Sequence, residues 1–342
     1  MSIKYTPALH FGSATLSKKL RTALGKNAMG LAVWATLLLM VLFGWLRYDN
    51  FLGAYNIFSF FQYNAIFAAI SLGMCFVIVT GGIDLSVGGA AALASVLAAM
   101  ASKYGVMPGI IIGVGAGMCV GIVNAFCVVQ MHIAPFIATL ATALASTGTA
   151  LLISNNQSVG VSYDTLFVEF GQGEWLGMPI PAVLVGLLFV SGWLVLARLP
   201  LGRRILAVGG GEDASRLMGV QTGRIIFSVY VFSGVMAGLA GAILAAQFGA
   251  GQPTEGTGWE LFAIAAVVVG GTLLTGGEGS VVATLGGVLL LGLLFNMLNF
   301  ENGKGWISLS AYWQSVIRGG FLLIFIVVQA KIAQGRAAAK HL

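Results

Sequence analysis

Charged side chains make up only 8% of this 342-residue chain. A soluble domain carries about 25%. So few charges cannot cover a water-facing surface, and the 58% hydrophobic content makes lipid the solvent. Cysteine is scarce as well. Cys75, Cys119 and Cys127 fall inside apolar runs, at spacings that suit neither a zinc site nor a disulfide framework. They read as small buried apolar residues. His10, His132 and His341 lie far apart, which removes a histidine-based catalytic centre. There is no GxxxxGK[ST] phosphate loop, no HExxH and no GxSxG. The run Gly209–Gly211 lacks dinucleotide spacing, and the following Glu212 and Asp213 would repel phosphate. No cofactor or metal is therefore expected on this chain. Nor is a nucleic-acid partner, despite a net charge of +6.

What is present is a series of apolar runs, judged against the roughly 20 residues that cross a bilayer. Ten spans are expected: Ala28–Leu46, Phe60–Thr80, Leu85–Ala101, Pro108–Gln130, Ala134–Ser154, Pro181–Leu199, Ile225–Phe248, Glu260–Leu274, Ser280–Leu298 and Ser315–Ala330. The third, eighth and tenth are short enough to be tilted, bent or partly re-entrant. The fold class is an all-α, polytopic transmembrane bundle. With both termini inside, thirteen Lys and Arg face inward and only Arg47, Lys103 and Lys304 face outward, with Arg318 in the last span. That asymmetry obeys the positive-inside rule. Residues 1–27 form a polar, basic cytoplasmic segment, 28–330 the transmembrane domain and 331–342 a cytoplasmic tail. The first apolar run is a full span, longer than the core of a signal peptide.

Residues 77–89 read VIVTGGIDLSVGG and set Asp84 between two glycine pairs. A carboxylate at the edge of a hydrocarbon span needs a partner, a cap or water. The segment reads as a helix end, a tight turn at the inner membrane face and a new helix. Asp84 is expected to cap the helix beginning near Leu85, with Ser86 as the competing cap and gating as the alternative role. An echo occurs at Thr275–Gly276–Gly277, again followed by an acid and a serine, Glu278 and Ser280. Transporters often contain such repeats, although Gly-rich turns also look alike. Three connections are long. Asn155–Ile180 is acidic and outside, Gly249–Trp259 is Gly-rich and outside, and 197–224 is the main inner loop. Glycines at 113, 115, 117 and 121, and at 234, 238 and 241, permit close helix contact. The tryptophans fall mostly near span ends and read as interface anchors.

Five blocks, in order, carry a resemblance. They are TGGIDLSVGG (80–89), PFIATLATA (135–143), LGRRILAVGGGEDASRLMGV (201–220), FSGVMAGLAGAILAAQFGAGQP (232–253) and GWELFAIAAVVVGGTLLTGGEGS (258–280). With them the chain resembles the membrane permease subunits of bacterial ATP-binding-cassette sugar importers of the ribose/xylose/galactose type. The resemblance implies a multi-pass protein of the bacterial inner membrane, surrounded by lipid. It implies a second permease subunit, the same or similar, and a periplasmic binding protein that delivers the solute. It also implies a cytosolic ATPase carrying ATP-Mg, so that this chain is a transport subunit without enzymatic activity.

Roles follow residue by residue. The inner loop, through Gly202, Arg203, Arg204, Gly209, Glu212, Asp213, Ala214 and Gly219, is expected to dock on the ATPase. An ordinary solvated positive-inside loop is the alternative. Gly81, Gly82, Asp84 and Ser86 form the family-motif turn. Asn64, Asn124, Phe136, Thr139 and Asn296 are candidate pathway residues, with interhelical bonding or core packing as the alternative. Arg318 either reaches the headgroups or pairs with Glu260. The expected cargo is a small neutral solute, foremost a monosaccharide. An autoinducer-like furanose, a polyol or a nucleoside is the alternative cargo. An ion-coupled transporter is disfavoured because the middles of the spans hold almost no ionisable groups.

Overall fold

The computed structural model describes residues 13–303 and seven further positions between 313 and 327. The expected tenth span, Arg318, Trp306 and the C-terminal tail lie outside the described residues or largely so.

Twelve α-helices make up most of residues 13–303. They are α1 (Ser13–Arg47), α2 (Ala54–Val79), α3 (Val87–Ala101), α4 (Val106–Val129), α5 (Pro135–Ile153), α6 (Phe167–Gln172), α7 (Ile180–Arg198), α8 (Pro200–Gly210), α9 (Glu212–Leu217), α10 (Thr222–Phe248), α11 (Trp259–Val269) and α12 (Val281–Gly303). The chain is an all-α polytopic membrane protein. Among the described residues, eight helices are long and apolar enough to cross a bilayer, and α11 is a shorter apolar helix. Those nine correspond to the first nine expected spans. Helix α1 begins at Ser13, well before its apolar stretch, which starts at Gly30. Proline opens α5, α7 and α8, where its missing N–H costs nothing. Gly249, in a left-handed conformation, closes α10.

Two helices form the centre. Every residue of α2 from Asn64 to Val79 is buried. Helix α10 is clasped by α2, α3 and α4. The clasp depends on glycine. A methyl group on Gly117 of α4 would overlap the Gly234 carbonyl of α10, and one on Gly121 would sit 2.6 Å from the Tyr230 carbonyl. Gly241 faces Ala91 and Ser95 of α3 in the same way. Without a hydrophobic drive in lipid, such backbone contact supplies the van der Waals packing. Gly115 faces open space and contributes nothing of this kind. Of the cysteines only Cys75 is buried; Cys119 is exposed and Cys127 is half-buried. An apolar run identifies a span but not which side of it faces the bundle.

Two connections run inside the bundle rather than over it. After Val79 the chain rises without helical structure to Val87, so α3 begins beside the middle of α5, where Gly89 backs onto Ala143 and Thr147. The second is 249–258, which sequence placed outside. It descends along α3. Gly251 packs on Ser95 and Val96, and Gly256 meets the backbone of Gly88 near the start of α3. Its first residues are bonded internally: Gln252 N donates to Ser95 Oγ at 3.0 Å, and Ala250–Gly251 pairs with Val159–Gly160 as a two-residue ladder. Composition alone marks a Gly-rich loop, not its depth. Trp259, expected as an interface anchor, accordingly packs on Phe67 in mid-bundle, with ring centroids 5.2 Å apart.

Candidate functional site

Helix α2 stops because Thr80–Gly81–Gly82 cannot continue it. Gly81 takes φ +85°, and Gly82 N returns to the Val77 carbonyl at 3.1 Å. The following residues carry Asp84 into the bundle, where it is wholly buried. Its Oδ1 accepts from Ser86 N at 2.9 Å and from Ser86 Oγ at 2.6 Å. Its Oδ2 accepts from Ser233 Oγ of α10 at 2.7 Å. Asn124 of α4 donates to Ser86 Oγ at 2.7 Å, and Thr142 of α5 donates to Asn124 Oδ1 at 2.5 Å. No lysine or arginine among the described residues forms an ion pair with Asp84. The carboxylate is held by neutral donors alone, which is what allows it to stay buried.

Asp84 meets the chain just ahead of α3, which begins at Val87. Ser86 occupies the N-cap position of α3, yet no side chain bonds the helix's free N–H groups there. Asp84 instead accepts from the backbone N–H of Ser86 itself, one residue ahead of α3. Asp84 ties the non-helical rise to α10 and, through Ser86 and Asn124, to α4 and α5. Sequence reading had marked Asn124 but missed Ser233 and Thr142. The available signal was a hydroxyl in the middle of an apolar run, which says that a partner exists but not which one.

The two echoing turns meet at one end of the bundle. Gly277 N donates to the Val79 carbonyl at 2.9 Å. A methyl on Gly276 would lie 2.7 Å from Gly81 N. Gly209 of α8 closes the joint: a methyl there would overlap the Val79 carbonyl and lie 2.5 Å from Gly277 N. Gly81, Gly276 and Gly277 all have φ near +80° (+85°, +79° and +79°), a region that other residues rarely adopt. The echo fails at the acids, since Glu278 is exposed while Asp84 is buried. The serines differ as well. Ser280 Oγ accepts from Ala283 N at 3.3 Å at the start of α12, the capping pattern that Ser86 lacks.

The connection 197–224 is a helical excursion, α8 followed by α9. Gly202 is packed on the Val195 and Leu196 carbonyls of α7, and Gly209 is in the joint just described. Arg203, Arg204, Glu212, Asp213, Ala214 and Gly219 are exposed. Glu212 accepts from Arg216 at 3.0 Å and from Thr222 at 3.1 Å, linking α9 to the start of α10. Leu217 and Met218 stand out at 91% and 73% exposure.

Of the candidate pathway residues, Asn124 and Thr139 meet at the 83–86 segment, where Thr139 Oγ lies 3.4 Å from the Ile83 carbonyl, and the other three lie apart. Asn64, Asn124 and Thr139 are buried. Asn64 donates to the Phe60 carbonyl at 2.7 Å and Thr139 to the Pro135 carbonyl at 2.8 Å. Asn296 of α12 donates to Asn56 of α2 at 2.8 Å. Phe136 alone is exposed, in the first turn of α5. The other four are in intrahelical and interhelical bonds. Glu260, considered as a partner for Arg318, is half-buried at the start of α11 and is bonded by the backbone of its own first turn.

Comparison with known proteins agrees with this architecture. The family described as "Branched-chain amino acid transport system / permease component" matches residues 56–327. The ribose import permease protein RbsC of Bacillus subtilis is 41% identical over 285 residues, covering 82% of this chain and 87% of that protein. The D-allose transport system permease protein AlsC of Escherichia coli is 34% identical, covering 87% and 90%. The L-arabinose transport system permease protein AraH of Escherichia coli is 35% identical, covering 75% and 77%. No solved structure matches the chain. A membrane bundle of this form, matched along most of its length, belongs to the branched-chain amino acid transport system permease family.

Proposed function

We propose that this chain is the permease subunit of an ATP-binding-cassette importer that passes a monosaccharide across the bacterial inner membrane. Relatives whose names specify ribose, D-allose and L-arabinose support a sugar as cargo. The observation that carries the reading is the α8–α9 excursion. It presents Leu217 and Met218 among Arg203, Arg204, Glu212, Asp213 and Arg216, and its Gly209 sits against the backbone ends of α2 and the turn before α12. An apolar tip ringed by charges is a suitable docking surface for a cytosolic ATPase. On this reading the ATP-Mg site lies on that partner, a binding protein delivers the sugar from outside, and a second permease subunit completes the pathway. Closure of the ATPase pair displaces α8–α9, and the joint at Val79 and Gly277 passes the displacement to α2 and α12.

The test is uptake of labelled ribose, D-allose and L-arabinose into proteoliposomes holding the co-purified assembly. ATP-dependent uptake of one of them, lost with Leu217→Asp, is the expected result. A chain that purifies alone and transports in ATP-free vesicles under an ion gradient would overturn the reading.

A further inference from the structure

The segment 249–258 and the first turn of α11 put polar side chains at an unusual depth. Gly256 lies against Gly88, thirteen residues before the outer end of α3 at Ala101. That is about 20 Å of helix at about 1.5 Å per residue, in a hydrocarbon core of about 30 Å. Trp259 and Phe262 pack on Phe67, close to the middle of the 26-residue α2. The chain from Gly251 to Glu260 therefore crosses the outer half of the bundle and ends near its midplane.

Its side chains are not sealed there. Thr254, Glu255 and Thr257 are exposed, and Glu260 is half-buried. Neither Glu255 nor Glu260 forms an ion pair with a cation among the described residues. Lipid-exposed irregular backbone does not occur within hydrocarbon; it is tolerated at that depth only inside protein or along a water-filled cavity. Ionisable groups at that depth face a polar path for the same reason. The lipid-facing alternative looks different in the same protein: α1 exposes Leu38, Leu39, Leu42 and Phe43.

We infer that the transported solute passes along the face made by Thr254, Glu255, Thr257 and Glu260, beside Thr147 of α5. This rests on the importer reading and names the surface that the solute meets. The chemistry narrows the solute class. Carboxylates accept hydrogen bonds from hydroxyl groups, and threonine hydroxyls donate and accept. With two acids and no paired cation, the face suits a neutral polyhydroxylated molecule and repels a sugar phosphate. Exposed Leu261 beside it offers an apolar contact for ring C–H groups.

The experiment uses the assembled transporter in membranes, with Cys119→Ala and Cys127→Ala as background. Thr254→Cys, Thr257→Cys and, as a second site, Glu255→Cys are treated singly with a negatively charged, membrane-impermeant methanethiosulfonate. Leu38→Cys on α1 and Asp164→Cys on the outer loop are the controls. The expected result is labelling at least tenfold faster than at Leu38→Cys, with uptake falling at least tenfold on modification. Modified Asp164→Cys keeps its uptake. Labelling no faster than at Leu38→Cys, or complete labelling with uptake intact, would overturn the inference. Labelling reads water access whatever the cargo. If modification blocks ATP-driven uptake of a different neutral solute, the face stands and only the monosaccharide assignment fails.

Discussion

Ser233 Oγ donates to Asp84 Oδ2 at 2.7 Å, joining residues 149 apart in sequence. The bond fixes the non-helical rise after α2 to the central helix α10, and so sets where α3 begins. Removing it leaves a buried carboxylate short of a donor. We predict that Ser233→Ala costs about 1–3 kcal/mol, the usual cost of an unmet buried partner. Asp84→Ala should cost more, because Ser86, Ser233 and Asn124 all lose their common centre. Asp84→Asn should fall between, since its carbonyl still accepts from Ser86. Thermal unfolding in detergent would check the order. An Asp84→Ala protein as stable as the parent would show that the network holds nothing in place.

The joint between α8 and the two turns offers a matched pair. A methyl on Gly209 has no room beside Val79 and Gly277, whereas a methyl on Gly210 meets nothing within 4 Å. Gly209→Ala should reduce ATP-driven uptake at least tenfold, while Gly210→Ala keeps it. Equal uptake by the two variants would remove the joint from the transport mechanism.

The glycine clasp on α10 gives a second pair. Gly117→Ala would force α4 away from α10, at about 1–3 kcal/mol for overpacking. Gly115→Ala enters open space and should be neutral or slightly stabilising, because alanine favours the helix by up to about 1 kcal/mol. Detergent melting curves of the two single variants distinguish these outcomes.

Glu212 joins Arg216 at the surface, where both side chains are largely exposed, at 44% and 64%. Such a pair is worth less than about 1 kcal/mol. Glu212→Gln should therefore leave the melting temperature within error. Co-purification of the ATPase should nevertheless weaken if this surface is its dock. A large drop in melting temperature would instead give Glu212 a structural role, through its contact with Thr222.

The spans were legible because lipid imposes a simple requirement, a long apolar run. The glycines of α4 and α10 were legible as contact residues for a similar reason, though not that Gly115 stands outside the contact. The inward turn of the chain at 249–258 was not legible. A Gly-rich stretch with a single charged residue, Glu255, reads the same on the surface and at depth, and only Ser95 and Gly88 reveal where it lies. Asp84 was recognised as a residue needing a partner. Its partners include Ser233 of α10 and Asn124 of α4, 149 and 40 residues away, and no local spacing encodes that. The meeting of the two Thr-Gly-Gly turns was visible as an echo, but the third member, Gly209, had been read only as part of a loop.

The contacts among Gly209, Val79 and Gly277 involve main-chain atoms, with no side chain between them. A joint built from long side chains has compliance, because rotamers can change and absorb a small displacement. This one has almost none. On the importer reading proposed above, a shift of α8 reaches α2 and the start of α12 nearly undiminished, so a stroke delivered to α8–α9 arrives in the bundle as a rigid displacement rather than a damped one.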